Sequence, residues 1–409
     1  MLVAPYAQCD IGLIRETNED SVLVNPSLGL YAVCDGMGGH AAGEVASSTA
    51  AALLEDYFRD RGAILTEADC RPDGYFRILR LAEEAVQQVS AQLYEMACCN
   101  PDCRGMGTTL TMLLVVNNKA IVAHVGDSRL YLLRDGDVHL LSSDHTMANE
   151  LVQLGHLEAD RAKHSRFASV LTRSVGRQEL VQVDTLLFDL LPGDTCLLCS
   201  DGFSKYLDET RELRDLLNAE DPQGVPQRLV DLATSRGGGD NISVIVLRVD
   251  ETDDSGVANA VNRKLELLER LPLFAGLSLN RLLQVLNICE ERTCEAGWKV
   301  AVRGEPLPGL HVLTDGRLWV CGETGEEAEL LSGCCFGEGS LFSRRTAAAT
   351  VTAREDSKLL LIPRRDFAAL TRRCPKLGVR ILSRIGVHLT NRLDDPLHET
   401  ASARNAPWV

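Results

Sequence analysis

Five acidic sites fall where apolar runs begin or end. Asp35 and Gly36 close LYAVCD, Asp127 closes AIVAHVGD, Asp201 and Gly202 close TCLLCSD, and Asp240 with Asn241 opens NISVIVLRV. Glu19 and Asp20 precede a further apolar run in IRETNEDS. A single Asp-Gly is ordinarily a turn, but the repetition points elsewhere. Carboxylates at the ends of adjacent strands can converge on one edge of a sheet, where they repel unless cations neutralise them. Oxygen ligands without His or Cys select hard divalent ions, magnesium or manganese. Two such ions about 3.5–4 Å apart can share a water, lower its pKa from about 15.7 toward neutrality and present hydroxide to a phosphorus atom. The chemistry expected of this cluster is hydrolytic phosphoryl transfer. Glycine after Asp35 lets the backbone carbonyl approach a hydrated ion.

Such acids need rigid elements to gather them. Strand candidates are LYAVCD, TTLTMLLVV, KAIVAHVGD, RLYLLRDG, TCLLCSD and NISVIVLRV, short apolar runs closed by turn residues. Helix candidates are Glu44 to Arg59 and Tyr75 to Met96, where apolar positions recur at three and four. Strands follow strands directly, which argues for antiparallel sheets. Residues 1–250 therefore read as one α+β domain. The polar, acidic DETDDSGVAN begins a segment, 251–264, read as an acidic linker and the start of a connecting helix. After it come a helical segment from Val261 to Cys289, short strands punctuated by glycines such as Gly297, Gly304 and Gly316, and a last helical stretch from Asp366 to about Leu393. Residues 265–393 thus read as a β-roll or jelly roll flanked by helices, and 394–409 as a flexible tail.

Composition agrees with two domains in 409 residues. No run approaches the roughly 18 apolar residues that would span a membrane. The start, MLVAPYAQCD, lacks the basic and apolar regions of a secretory signal, so a cytoplasmic location is expected. The net charge of −16 repels nucleic acid and acidic membranes and suits a cation binder. Most of the 14 cysteines lie in apolar runs and read as reduced, buried thiols. Cys196 and Cys199 have redox spacing but sit in a core strand candidate without βαβ context.

The motifs RETNED (15–20), YAVCDGMGGHAAGE (31–44), GTTL (107–110), VGDSRLYLLRDG (125–136), DHT (144–146), LTRSVG (171–176), CSDGFSKYL (199–207) and GGGDNISV (237–244) occur in that order. Together they resemble the metal-dependent protein phosphatases of the PPM family, especially its bacterial members, over residues 7–250. The resemblance implies a four-layer α-β-β-α sandwich of two antiparallel sheets, a binuclear manganese or magnesium centre, and hydrolysis of phosphoserine and phosphothreonine by a metal-bridging hydroxide. By position, Asp35, the Gly36 carbonyl, Asp201 and Asp240 would hold the two ions, with Glu19 and Asp20 on coordinated waters. Asp127 with Asp201 matches the ligands of a weaker third ion, and Arg15 the arginine that grips the substrate phosphate. His40 is the candidate general acid, although the animal members place their histidine where Met37 stands. Asn241 reads as a turn residue orienting Asp240, and residues 145–170 match the flap beside the active site. Implied partners are phosphoproteins, substrates of a bacterial Ser/Thr kinase.

Rival chemistries are poorly supported. Cys9 to Arg15, Cys98 to Arg104 and Cys374 to Arg380 have the spacing of a cysteine phosphatase but no preceding His and no glycine-rich cradle. No nucleotide-binding P-loop or kinase motif is present. A catalytically silent ligand- or partner-sensing scaffold is the alternative, although such a scaffold would ordinarily have lost metal carboxylates.

The segments LPLFAGLSLNRLLQVL (271–286), GWKVAVRGEPLPGLHVLTDGRLWV (297–320) and FGEGSLFSRRTAAATV (336–351) resemble cyclic-nucleotide-binding domains of bacterial regulators and kinases. That resemblance assigns Gly337, Glu338, Ser340 and Arg345 to a nucleotide cassette, Gly337 toward the cyclic phosphate and Glu338 toward the ribose hydroxyl. The arginine expected nine residues after Glu338 is Ala347, with Arg344 and Arg345 close by. A β-roll kept for homodimerisation, substrate docking or autoregulation is the competing reading.

Overall fold

The structure, a computed structural model, describes residues 3–38, 42–68, 73–250, 255–322, 327–344 and 346–394. His40 and Arg345, part of the acidic linker and most of the tail lie outside the described residues. The chain divides into two compact units, 1–258 and 259–409.

In the first unit the apolar runs form two antiparallel sheets. One orders β2 (Asp20–Asn25), β3 (Leu30–Met37), β5 (Leu110–Val116), β6 (Lys119–Val125) and β9 (Asp184–Asp189), with the short β4 (Gly107–Thr108) paired to β3. The other orders β1 (Val3–Asp10), β11 (Ile242–Val249), β10 (Thr195–Cys199), β7 (Arg129–Arg134) and β8 (Asp137–Leu140). Side chains alternate across a strand, and both faces are buried here. On β3, Leu30, Ala32 and Cys34 pack with Leu54 of α1 (Ala42–Arg59) and with Ile78 and Leu93 of α3 (Gly74–Cys99), beyond the short α2 (Gly62–Thr66). Tyr31 and Val33, on the opposite face, are also buried. On β11, Ile242, Val244 and Val246 pack with Phe203 of α6 (Asp201–Ser204), Leu213 of α7 (Thr210–Leu217) and Leu229 of α8 (Val225–Ser235), while Ile245 and Leu247 are buried on the other side. The layers therefore run α-β-β-α. Truncating a fully buried ring such as Phe58 to Ala would cost about 3–5 kcal/mol. Two short helices, α4 (Met147–Gln153) and α5 (Ala159–Ala162), lie in the loop that follows β8.

The second unit has two four-stranded antiparallel sheets. One orders β12 (Glu290–Cys294), β19 (Ser357–Pro363), β14 (Gly309–Asp315) and β17 (Cys335–Phe336); the other orders β13 (Lys299–Ala301), β18 (Thr350–Ala353), β15 (Arg317–Cys321) and β16 (Glu327–Leu331). Leu313, Leu318, Val320, Phe336, Val351 and Leu359 form the core between them. The helices here are α9 (Ser255–Arg270), α10 (Leu279–Leu286), α11 (Arg364–Arg373) and α12 (Pro375–Asp394).

Several elements differ from the sequence reading. The segment Val261 to Cys289 is two helices, not one. α9 stops at Arg270 before Pro272, and Gly276 takes a left-handed φ of 64° before α10. Asp366 to Leu393 is likewise broken, because Pro375 starts a new helix where its missing N–H costs least. Not every cysteine is buried: Cys98, Cys99 and Cys321 are exposed.

Candidate metal centre

Register alone brings the first two acids together. In the antiparallel pair of β2 and β3, Asp20 stands directly opposite Asp35, so two carboxylates face each other across a ladder where like charges repel. The loop before β2 is tied to the other sheet through Asn241. Its Oδ1 accepts from the Glu19 N–H at 2.8 Å, and its Nδ2 donates to the carbonyls of Ile11 and Thr17 at 3.0 Å. Asn241 therefore does more than turn the chain after Asp240.

Glycines make room. A Cβ on Gly36 would lie 2.4 Å from the Glu19 carbonyl, one on Gly43 2.8 Å from the Glu19 carboxylate, and one on Gly202 1.9 Å from the Asn241 carbonyl. Asp35 is fixed by its backbone. Its N–H donates to Thr109 Oγ1 at 2.9 Å, and its carbonyl accepts from the Thr109 N–H at 2.9 Å and from Thr108 Oγ1 at 3.0 Å. Asp201 opens α6 directly after β10, and Asp240 precedes β11. Asp127 lies in the turn after β6 behind Gly126, whose φ is 113°.

The electrostatics are those of an anionic cluster short of cations. Burial, with the charges of Asp201 and Asp240 behind it, pushes Asp20 up to about 7, against hydrogen bonds from Ser243 and Ser200. Burial, then Asp201 and Asp144, push Asp127 up to about 7. Asp35 is raised well above the ordinary range by burial and by Asp20, Asp201, Asp127 and Asp240. Asp20 Oδ2 and Asp201 Oδ1 are buried with no hydrogen-bond partner, a costly state for a carboxylate oxygen. Two basic side chains answer part of the charge. Arg15 reaches Asp240 Oδ1 at 2.8 Å, and Lys205 lies 2.5 Å from Asp201 Oδ2 and 3.6 Å from Asp240 Oδ2. Among the described residues no three His, Cys, Asp or Glu side chains form a coordination shell by themselves. Arg15 and Lys205 pair with Asp240 and Asp201, and hard hydrated ions need few direct protein ligands. The orphaned oxygens and raised carboxyls fit divalent cations.

Beneath the site lies a polar network that sequence reading missed. Thr109 Oγ1 meets Ser128 Oγ at 2.7 Å, and Thr111 Oγ1 joins the Ser128 carbonyl at 3.1 Å to His124 Nδ1 at 2.9 Å. His124 stacks near His145, ring centroids 4.8 Å apart. Arg129 grips Asp144 with two hydrogen bonds of 3.0 and 2.7 Å, and Thr146 caps α4 through the Asn149 N–H at 3.2 Å. The DHT motif thus anchors the start of the flap.

Of the other sequence candidates, Cys196 and Cys199 are both buried, the latter thiol pushed up to about 12 by burial, which is inert chemistry. In the second unit Gly337 has a φ of 83°, and a Cβ there would lie 2.8 Å from the Gly309 carbonyl. Ser340 is buried and donates to the Gly337 carbonyl at 2.5 Å, and Glu338 is half-buried. Ala347 is 5% exposed and packs in the apolar core.

Two antiparallel sheets between helix layers, with acids from both sheets at one end, define the class of metal-dependent phosphatase folds. Residues 16–233, over half of the chain, match the family model described as Protein phosphatase 2C, and the chain belongs to that family. Residues 291–374 match the model of the cyclic nucleotide-binding domain. The chain is 35% identical over 244 residues to the serine/threonine phosphatase Stp of Listeria welshimeri, covering 58% of this chain and 92% of that one. The crystal structure of the Mycobacterium tuberculosis serine/threonine phosphatase PstP/Ppp is similar with a TM-score of 0.55 at 34% identity, over 61% of this chain and 100% of the other. A PstP catalytic domain in complex with two manganese ions has a TM-score of 0.53 at 34% identity, over 61% of this chain and 99% of the other.

Proposed function

We propose that this chain hydrolyses phosphoserine and phosphothreonine in proteins with manganese or magnesium, and that Asp35, the Gly36 carbonyl, Asp201 and Asp240 hold two ions, with Glu19 and Asp20 on their waters. Asp127 and Asp201 would take a weaker third ion. The observation that carries the reading is the cluster itself: carboxylates from two sheets, two with buried unpartnered oxygens. When bound, the ions supply Lewis acidity and an activated water. The chain's own residues do the rest. Arg15, 46% exposed and already among Asp240, Glu19 and Asp35, can release Asp240 and offer its planar donors to a phosphate. Asn241 and Thr109 hold the carboxylate-bearing loops in place, and His40 is the candidate proton donor to the departing oxygen. The acids supply charge; the arginine supplies orientation.

The substrates would be phosphoproteins made by a bacterial Ser/Thr kinase, in the cytoplasm; among the described residues no helix is long and apolar enough to cross a membrane. In the second unit the packed Ala347 argues against a cyclic-nucleotide phosphate contact at that position. A β-roll serving homodimerisation or autoregulation is the reading we favour for residues 265–393. The test is phosphate release from a phosphothreonine peptide: turnover with manganese that EDTA abolishes supports the reading, and EDTA-insensitive turnover contradicts it.

A further inference from the structure

A cleft of about 530 Å³ lies at the C-terminal end of α3, lined among others by Tyr94, Cys98, Pro101, Arg104, Gly176 and Arg177. It is tied to the carboxylate site through the backbone. The segment after α3 enters β4, where Gly107 pairs with Met37 and Thr108 with Gly36. Thr108 in turn exchanges hydrogen bonds with Val175, 3.0 and 2.9 Å, two residues before Arg177. A Cβ on Gly107 would meet Arg177 Cγ at 3.0 Å, so the arginine stem lies along the strand that flanks Gly36.

Both arginines stand on fixed backbone. Gly176 N–H donates to Ser90 Oγ at 3.1 Å, Ser90 Oγ donates to the Gln178 carbonyl at 2.8 Å, and Val181 N–H donates to Gln87 Oε1 at 3.1 Å. That stitches the strip carrying Arg177 onto α3. Arg104 closes a one-turn 3-10 helix capped by Asn100, whose Oδ1 accepts from the Asp102 N–H at 3.1 Å. In the same unit Arg15, Arg129, Arg134, Arg173 and Arg236 each hold a carboxylate. Among the described residues, neither the Arg104 nor the Arg177 guanidinium has a hydrogen bond or ion pair. Glu179, whose charge reaches Tyr94, pairs with neither. Two free forked donors facing one cleft, in a chain of net charge −16, have the chemistry to grip an anionic group.

We infer that Arg104 and Arg177 form a subsite for a second anionic group of the substrate, a carboxylate or a further phosphate a few residues from the phosphothreonine being hydrolysed. The inference rests on the phosphatase reading above and gives it a specificity: acidic phosphosegments over neutral ones. It requires no covalent step.

The test compares kcat and KM of the full-length protein, with manganese, on four phosphothreonine peptides flanked by Gln, by Glu, by phosphoserine or by Lys, with p-nitrophenyl phosphate as the small substrate. Wild type should prefer the Glu or phosphoserine peptide, the favoured one naming the anion. Arg104→Gln and Arg177→Gln, both at exposed positions, should each raise KM for it about tenfold, the low end for a charged contact, and leave the Gln peptide and p-nitrophenyl phosphate unchanged. Arg177→Glu should turn the preference toward a Lys-flanked peptide. Wild type that turns over all peptides equally, or variants that slow every substrate alike, would overturn the subsite alone. Wild type that hydrolyses none of the substrates would contradict the phosphatase reading and the subsite with it.

Discussion

Lys205 Nζ lies 2.5 Å from Asp201 Oδ2, four residues away at the end of α6, and 3.6 Å from Asp240 Oδ2. The ammonium is pushed to a higher pKa, burial opposing and Asp201, Asp240 and Asp127 raising it. A tethered cation thus stands where a divalent ion would draw on the same oxygens. A divalent ion roughly 6 Å from an ammonium in a water-like dielectric is repelled by about 1.4 kcal/mol, tenfold in affinity. Lys205→Gln should therefore tighten apparent manganese binding several-fold in a calorimetric titration. Unchanged or weaker binding would show that the lysine supports the site instead.

The acids make metal-free stability depend on pH. Asp20 and Asp127 titrate near 7 in the folded chain and near 3.9 unfolded. A raised folded pKa means stability that is complete below the unfolded value and lost as pH rises through the folded one. His124 and His311, lowered by burial to about 4, act oppositely, losing stability as pH falls from about 6.5. In EDTA the thermal midpoint should fall between pH 6.5 and 8, and saturating manganese should remove that fall. A midpoint rising with pH in EDTA would contradict the raised carboxyls.

Gly126 and His145 exchange hydrogen bonds: His145 N–H donates to the Gly126 carbonyl at 2.8 Å, and Gly126 N–H donates to His145 Nδ1 at 3.1 Å. Nε2 faces Asp184 at 3.3 Å, which Arg173 also holds at 2.9 Å. This clamp joins the flap to the turn bearing Asp127. His145→Ala should cost about 1–3 kcal/mol from the orphaned N–H and carboxylate, read as a lower thermal midpoint, together with weaker manganese binding. A stability loss with unaltered metal affinity would confine His145 to the fold.

The expected strands were legible because each is a short apolar run ending in a turn residue, and they became β3, β5, β6, β7, β10 and β11. β1, β2, β4, β8 and β9 are not among those runs. VAPYAQCD carries a proline and DTLLFD two acids, and only pairing with β11 and β6 settles them as strands. The breaks at Pro272 and Pro375 were signalled in the sequence, and amphipathic periodicity on both sides hid them. In the candidate site, the acids are legible because they stand at strand ends, whereas Arg15, in the loop between β1 and β2, is singled out only by the family resemblance. His145 and the clamp of Asn241 are not legible in this way, since their partners are distant in sequence, Asn241 holding a loop over 220 positions away; Lys205 lies one helical turn from Asp201, a spacing that by itself reads as an ordinary surface ion pair.

For the second unit, cyclic AMP or GMP should give no saturable heat below roughly 100 µM, because loss of one charged phosphate contact costs about two orders of magnitude in affinity. Saturable binding at micromolar concentration would overturn the reading of Ala347 and require another cation, such as Arg344, at the phosphate.

Phosphate release from a phosphothreonine peptide with manganese, wild type against Asp201→Asn, with circular dichroism confirming that both are folded, decides whether the carboxylate cluster is catalytic. Metal-dependent turnover by the wild type and at least a hundredfold loss in the variant are expected, the scale of removing a key electrostatic group. A folded Asp201→Asn protein that retains wild-type turnover would contradict a catalytic role for the cluster.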